Sequence, residues 1–117
     1  MLQIGLVDDS VILRSAIRNV LESSGYEVVL EAGGSAELFE KLEKQAPHLI
    51  LLDVFFPQEN GLDILARLKK QYPNIKVWMV TGMKQETISQ EAKRLGADGI
   101  LYKPFDTDEL LNTIKQA

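Results

Sequence analysis

Gln3-Ile4-Gly5-Leu6-Val7-Asp8-Asp9-Ser10 and Leu49-Ile50-Leu51-Leu52-Asp53 decide how this chain folds. Each is an apolar run too short for a core helix, ending abruptly in carboxylates. Such a run reads as a buried strand. Carboxylates at the end of a hydrophobic strand are costly unless something neutralises them. Similar runs recur along the chain, so strands are expected at about 3–8, 27–31, 48–53, 75–81 and 99–102.

Segments with helical spacing lie between the strands. In 10–24, Leu13, Ala16, Ile17, Val20 and Leu21 form one stripe, opening at an Asp9 or Ser10 cap and closing at Gly25. The second helix is expected over about 35–46, capped by Ser35 and stopped by Pro47. The third covers about 61–71, with Ile64, Leu65 and Leu68 inward. The fourth covers about 84–95, with only Ile88, Ala92 and Leu95 on its apolar face. The last starts at Asp106, where Glu109 completes a capping box.

Five strands alternating with five helices imply right-handed βαβ units and an α/β fold with a mainly parallel sheet. The near-continuous apolar strands at 49–52 and 77–80 suit burial on both faces, in the middle of that sheet. A doubly wound, flavodoxin-like five-stranded parallel sheet of order 2-1-3-4-5, with helices on both faces, sets the first and third strands side by side. Asp8, Asp9 and Asp53 then meet at one edge, at the topological switch point where such sheets bind ligands.

Bulk properties narrow the class. The 117 residues make one domain, 1–117, which buries about two-thirds of its unfolded surface. A net charge of −4 gives no reason to expect direct nucleic-acid binding. With no cysteine and the single His48, thiolate and multi-histidine metal sites are excluded. No apolar run approaches the roughly 20 residues of a membrane span, and no signal-peptide pattern opens the chain. A cytoplasmic protein without membrane contact is the expectation.

The other strand ends add to the acidic edge. Val54 to Gly61 forms a loop made rigid at Pro57 and released at Asn60-Gly61, where positive φ is easily tolerated. The fourth strand ends in Thr81-Gly82, a hydroxyl followed by a residue with no side chain to obstruct a ligand. The fifth ends in Lys103-Pro104-Phe105. Like charges this close raise one another's pKa unless a hard divalent cation holds them ionised. Mg²⁺ suits an all-oxygen site that retains waters and accepts a phosphate oxygen, and Mn²⁺ meets the same requirement. A carboxylate can attack phosphorus to give an aspartyl phosphate, whose oxygens call for cationic and hydroxyl partners.

Five fragments in order carry a family resemblance: Leu6-Val7-Asp8-Asp9-Ser10, Leu52-Asp53 with Pro57 and Gly61, Val80-Thr81-Gly82, Gly96-Ala97-Asp98-Gly99, and Lys103-Pro104-Phe105. Ser24-Gly25-Tyr26-Glu27-Val28 fits alongside them. The chain resembles a response-regulator receiver domain of two-component signalling, similar to the single-domain chemotaxis and sporulation regulators. The resemblance implies Asp53 as phosphoacceptor. It implies an Mg²⁺ site of Asp8, Asp9, Asp53 and the Phe55 carbonyl. Thr81, Gly82 and Lys103 would bind the phosphoryl group, and the Lys103–Pro104 bond would be cis. It further implies a histidine kinase or histidine phosphotransfer protein as donor. The output would be a downstream target or output domain reached through helix 4, strand 5 and helix 5, with phosphorylation-dependent dimerisation as one route. Such a domain catalyses its own phosphoryl transfer and is not a turnover enzyme.

Three positions depart from that pattern. Phe55 and Met83, which by resemblance flank the phosphoryl group, are bulky and apolar, unable to orient an attacking water. Slow loss of the phosphoryl group is therefore expected. Ile100 stands where the family usually carries an aromatic residue, and Tyr102, two residues on, is on the same side of the strand and is the alternative aromatic. Competing classes are weaker. A phosphorylation-independent interaction module leaves five site residues unexplained, and a phosphatase would want a carboxylate where Phe55 stands. A flavin phosphate would be repelled by Asp8-Asp9. His48 receives no role, Trp78 reads as packing material, and Asp63 with Lys69-Lys70 reads as a solvated helix face. The chain ends within its last helix, as expected either for a stand-alone regulator or for a receiver from a longer protein.

Overall fold

Period-two alternation along four of the five strands divides the apolar residues between two sets of helices; in the second, a register shift puts Val28 and Leu30 on opposite faces. The computed structural model describes residues 2–117. The strands are β1 (Gln3–Val7), β2 (Glu27–Ala32), β3 (Leu49–Asp53), β4 (Lys76–Thr81) and β5 (Gly99–Tyr102). The helices between and after them are α1 (Val11–Ser23), α2 (Ser35–Leu42), α3 (Gly61–Gln71), α4 (Glu86–Arg94) and α5 (Thr107–Gln116). All strand pairs are parallel and the order is β2-β1-β3-β4-β5. On one face Ile4, Leu6, Leu49, Leu51, Val80 and Leu101 pack against Ile17 and Leu21 of α1 and Leu110 and Ile114 of α5. On the other, Val7, Ile50, Leu52, Val77 and Met79 meet α2 and α3, with Ala92 of α4. The expected sheet and its order are therefore present, with β3 buried along its whole length.

Helix ends show where local signals competed. Ser10 caps α1, its side chain accepting from the Leu13 N–H. Asp106 and Glu109 form the reciprocal capping box of α5. The expectation for α2 needs correction at both ends. Its cap is Gly34, which has no side chain to offer, and Ser35 is the first helical residue. The Ser35 N–H is satisfied instead by Glu59 Oε2 at 2.9 Å, reaching over from the loop after β3. The helix also stops at Leu42, well before Pro47, because Lys44 and Gln45 both donate to the Lys41 carbonyl and turn the chain out. Likewise α4 begins at Glu86, two residues later than its apolar spacing suggested.

Gly61 opens α3 for a reason other than positive φ. Among the described residues only Gly25 and Gly96 have positive φ. A Cβ on Gly61 would lie 2.0 Å from the Asp53 carbonyl oxygen and 2.8 Å from Val54 Cα. The first turn of α3 is thus pressed against the end of β3, and the Gly61 N–H donates to the Val54 carbonyl at 2.6 Å.

Lys69 is not simply part of a solvated face. Its ammonium donates to the Ile75 carbonyl at 2.8 Å and to Asp98 Oδ2 at 2.9 Å, and the same Asp98 oxygen accepts from the Val77 N–H at 2.8 Å. Asp98 so joins α3, β4 and the entry to β5. Burial pushes its carboxyl up, but the Val77 N–H and Lys69 outweigh this and hold it below the ordinary value of 3.8. A depressed folded pKa means stabilisation that is present above the unfolded value and lost as pH falls through the folded one.

Asp98→Asn is expected to cost about 1–2 kcal/mol at neutral pH, allowing for partial exposure. In urea unfolding the gap to wild type should narrow as pH is lowered past 3.8; a gap independent of pH would contradict the assignment. Gly61→Ala should destabilise by about 2–3 kcal/mol in the same assay, because the clash is with backbone that cannot rotate away.

Candidate functional site

Three carboxylates converge at the carboxyl edge of the sheet. The apolar residues of β1 and β3 force neighbouring positions on the two strands, Val7 opposite Leu52, so the residues that follow come together. One oxygen from each of Asp8, Asp9 and Asp53 lies within 4.8 Å of the others. Asp8 and Asp53 are 6% and 7% exposed, whereas Asp9 is at the rim. Two buried carboxylates side by side need a counter-charge. Lys103, carried by the end of β5, places its ammonium 3.2 Å from Asp53 Oδ2 and 3.4 Å from Asp8 Oδ2.

Burial pushes the Asp53 carboxyl above its ordinary range; the Lys103 ammonium opposes this and the Asp8 charge reinforces it, and the net displacement is upward. Asp8 is held from several sides. Its N–H donates to the Ala32 carbonyl, its Oδ1 accepts from the Ser10 N–H at 2.8 Å, and its carbonyl accepts from Arg14 Nη1. The donor set is all oxygen, with two buried ligand candidates and one at the rim. That composition fits a hard divalent cation that keeps an open side for water and for a phosphate oxygen.

Thr81, at the end of β4, is almost fully buried. Its Oγ1 accepts from the Met83 N–H at 3.1 Å, which orients the hydroxyl while leaving its own proton available. Gly82 is exposed, and a Cβ there would find only Lys103 Cβ, at 4.0 Å, so this side of the site is open. The Lys103 N–H donates to the Thr81 carbonyl at 2.8 Å, and the Lys103–Pro104 peptide bond is cis. Phe55 forms an isolated bridge with Asn60, which closes the loop after Asp53.

The remaining candidates occupy distinct places. Phe55 and Met83 are 48% and 41% exposed. Together with Val11 and Ile12 they are the exposed large apolar residues among the described residues, all within three positions of Asp9, Asp53 or Thr81. Ile100 is half-buried against the α2–α3–α4 core. Tyr102 lies opposite Thr81 in register, half-buried, with the Lys84 ammonium 5.6 Å from its ring centroid. His48 sits at the opposite end of the sheet, where Nδ1 accepts from the Gln3 N–H at 2.9 Å. Trp78 fills the space beside Gly99, where a Cβ would meet the indole at 2.6 Å.

Arg14 and Glu59 were not singled out by sequence. Arg14 sits beside the apolar stripe of α1, one turn after the cap, and a long cation at such a position was the available signal. Glu59 gave none, because its partner Ser35 is remote in sequence.

Known proteins share this arrangement. The response regulator receiver domain model matches residues 4–115. Chemotaxis protein CheY of Listeria monocytogenes is 33% identical over 117 residues, covering 100% of this chain and 98% of its own. Sporulation initiation phosphotransferase F of Bacillus subtilis is 35% identical over 111 residues, covering 95% of this chain and 89% of its own. The crystal structure of chemotaxis protein CheY4 of Vibrio cholerae superposes with a TM-score of 0.93 at 31% identity, covering 99% of this chain and 98% of that one. With the family model spanning nearly every residue and the acidic edge in its expected place, the chain belongs to the response regulator receiver domain family.

Proposed function

We propose that residues 1–117 form one receiver domain that accepts a phosphoryl group on Asp53 from the phosphohistidine of a histidine kinase or histidine phosphotransfer protein. The observation that carries this reading is the buried Asp53 carboxylate 3.2 Å from the Lys103 ammonium, with Asp8 and Asp9 beside it. An Asp53 oxygen attacks phosphorus; the new O–P bond forms as the P–N bond to imidazole breaks, and the leaving imidazole takes up a proton. Burial disfavours the ionised Asp53 carboxylate, and the Lys103 ammonium beside it opposes that and keeps the attacking form available.

Asp8, Asp9, Asp53 and the Phe55 carbonyl would hold Mg²⁺, or Mn²⁺ in its place. When bound, that ion neutralises charge on the carboxylates and on the transferring phosphoryl oxygens. Lys103 exchanges part of its attraction for Asp53 for a phosphoryl oxygen. Thr81, oriented by the Met83 N–H, donates its free hydroxyl proton to another. The exposed Val11, Ile12, Phe55 and Met83 around the acidic mouth suit contact with the apolar surface of a protein donor.

Movement of the Thr81 hydroxyl toward the phosphoryl group is transmitted to the face formed by α4, β5 and α5. Tyr102, paired with Thr81 and with the Lys84 ammonium, just before α4, over its ring, is better placed for this than Ile100. Only Ala92 of α4 is buried, so the helix is loosely held and can shift at small cost. The altered face would act on a downstream target or output domain, or form a phosphorylation-dependent dimer. A cytoplasmic switch fits a chain in which, among the described residues, no helix is long and apolar enough to cross a membrane. The domain serves signalling and catalyses only its own phosphoryl transfer and slow hydrolysis.

Incubation with acetyl phosphate and Mg²⁺ should add one phosphoryl group, read by intact-protein mass, and Asp53→Asn should abolish the addition. Persistence of the adduct in Asp53→Asn would refute the assignment. Phe55→Asn combined with Met83→Glu should accelerate phosphate loss on the order of tenfold, equivalent to about 1.4 kcal/mol in the barrier. An unchanged lifetime would rule out shielding by these side chains.

A further inference from the structure

Asp8 carries a constraint that its own carboxylate does not explain. Its main-chain carbonyl accepts from Arg14 Nη1 at 2.5 Å, one helical turn into α1. The Arg14 side chain is only 15% exposed. Its guanidinium is held from the other side by Glu31 of β2, with Nε 3.4 Å from Glu31 Oε1. That approach is off-axis, and the buried Nε has no hydrogen-bond partner. Glu31 is fixed in turn by Arg18, which pairs with its second carboxylate oxygen. Arg14, Asp8 and Asp53 also line one small cavity, whose remaining walls include Ile17, Leu51 and Val80.

We propose that Arg14 is a positioning residue of the cation site, acting through Asp8 and not on the cation. The inference rests on the receiver reading given above. The Asp8 main chain is held on both sides, its N–H by Ala32 and its carbonyl by Arg14, and its carboxylate is held at Oδ1 by the Ser10 N–H. Oδ2 is left facing Lys103 and the site. A metal ligand must be held to within about 0.5 Å of its productive position, and partners behind the ligand typically contribute 10–100-fold in affinity. Arg14 supplies that support from α1, Glu31 anchors it to β2, and the two together tie the metal site to the α1–β2 edge of the domain.

Charge alone predicts the opposite. Arg14 is a fixed cation lining the same cavity as Asp8 and Asp53, so removing it makes the site more negative and should tighten divalent-cation binding. Positioning predicts weaker binding on the same substitution, and the sign separates the two roles.

Calorimetric titration of the full chain with MgCl₂ tests this, using wild type, Arg14→Met, Arg14→Lys, Glu31→Gln and Asp9→Asn. Thermal unfolding in chelator reports whether each variant is folded. Arg14→Met should weaken Mg²⁺ binding about tenfold. Glu31→Gln should weaken it less, and Arg14→Lys should recover part of the loss. If Arg14→Met does not fold, Arg14→Lys decides the matter: it keeps the charge, so binding weaker than wild type can come only from lost positioning. Binding as tight as wild type, or tighter, in the folded variants overturns the role of Arg14. If Asp9→Asn still loses Mg²⁺ binding, that result leaves the receiver reading standing. A wild-type protein that binds no Mg²⁺ overturns both.

Discussion

Two carboxylates buried side by side, Asp8 and Asp53, are the constraint around which this domain is arranged. Neither can stay ionised in an apolar setting without compensation. Lys103 provides it from the far end of the chain, bridging both oxygens from β5. That contact links the first, third and fifth strands at one edge. It also makes the site a set of mutually balanced charges, two carboxylates sharing one ammonium.

Strand alternation divides the labour between the two faces of the sheet. Asp8 continues the alternation of Ile4 and Leu6, Asp53 that of Leu49 and Leu51, and Lys103 that of Leu101; all belong to the α1–α5 side. Thr81 continues Val77 and Met79, and Tyr102 continues Ile100, on the side of α2, α3 and α4. The acidic chemistry therefore rests on two helices with well-buried faces. The hydroxyl and its neighbouring aromatic ring face α4, where Ala92 alone is buried. A rigid reacting side and a loosely held responding side are what a switch requires, since the change must cost little where it is read.

Contacts remote in sequence hold the loops that complete the site. Gly61 lets the first turn of α3 press against the end of β3, and Glu59 caps α2 from the same loop. Arg14 reaches the Asp8 carbonyl from α1, and Glu31 of β2 pairs with Arg14. These groups hold the chain segments that carry Asp8 and Asp53.

Most of the framework was legible in the chain itself. The apolar runs ending in Asp8-Asp9, Asp53, Thr81 and Lys103 specify strands, order and edge, because period-two burial and the βαβ rule admit few arrangements. Helix ends were less legible: the Ser35 cap failed because Gly34 precedes it and Glu59, from another loop, satisfies the free N–H. Lys69 looked solvated because its partner, Asp98, lies 29 residues away. Local pattern thus determined by itself where each strand stops and which chemistry stands there. Tertiary structure alone decided which distant side chains hold those groups in place, because a cap, an ion pair or a clasp on a carbonyl depends on proximity in space and leaves no periodicity in the sequence.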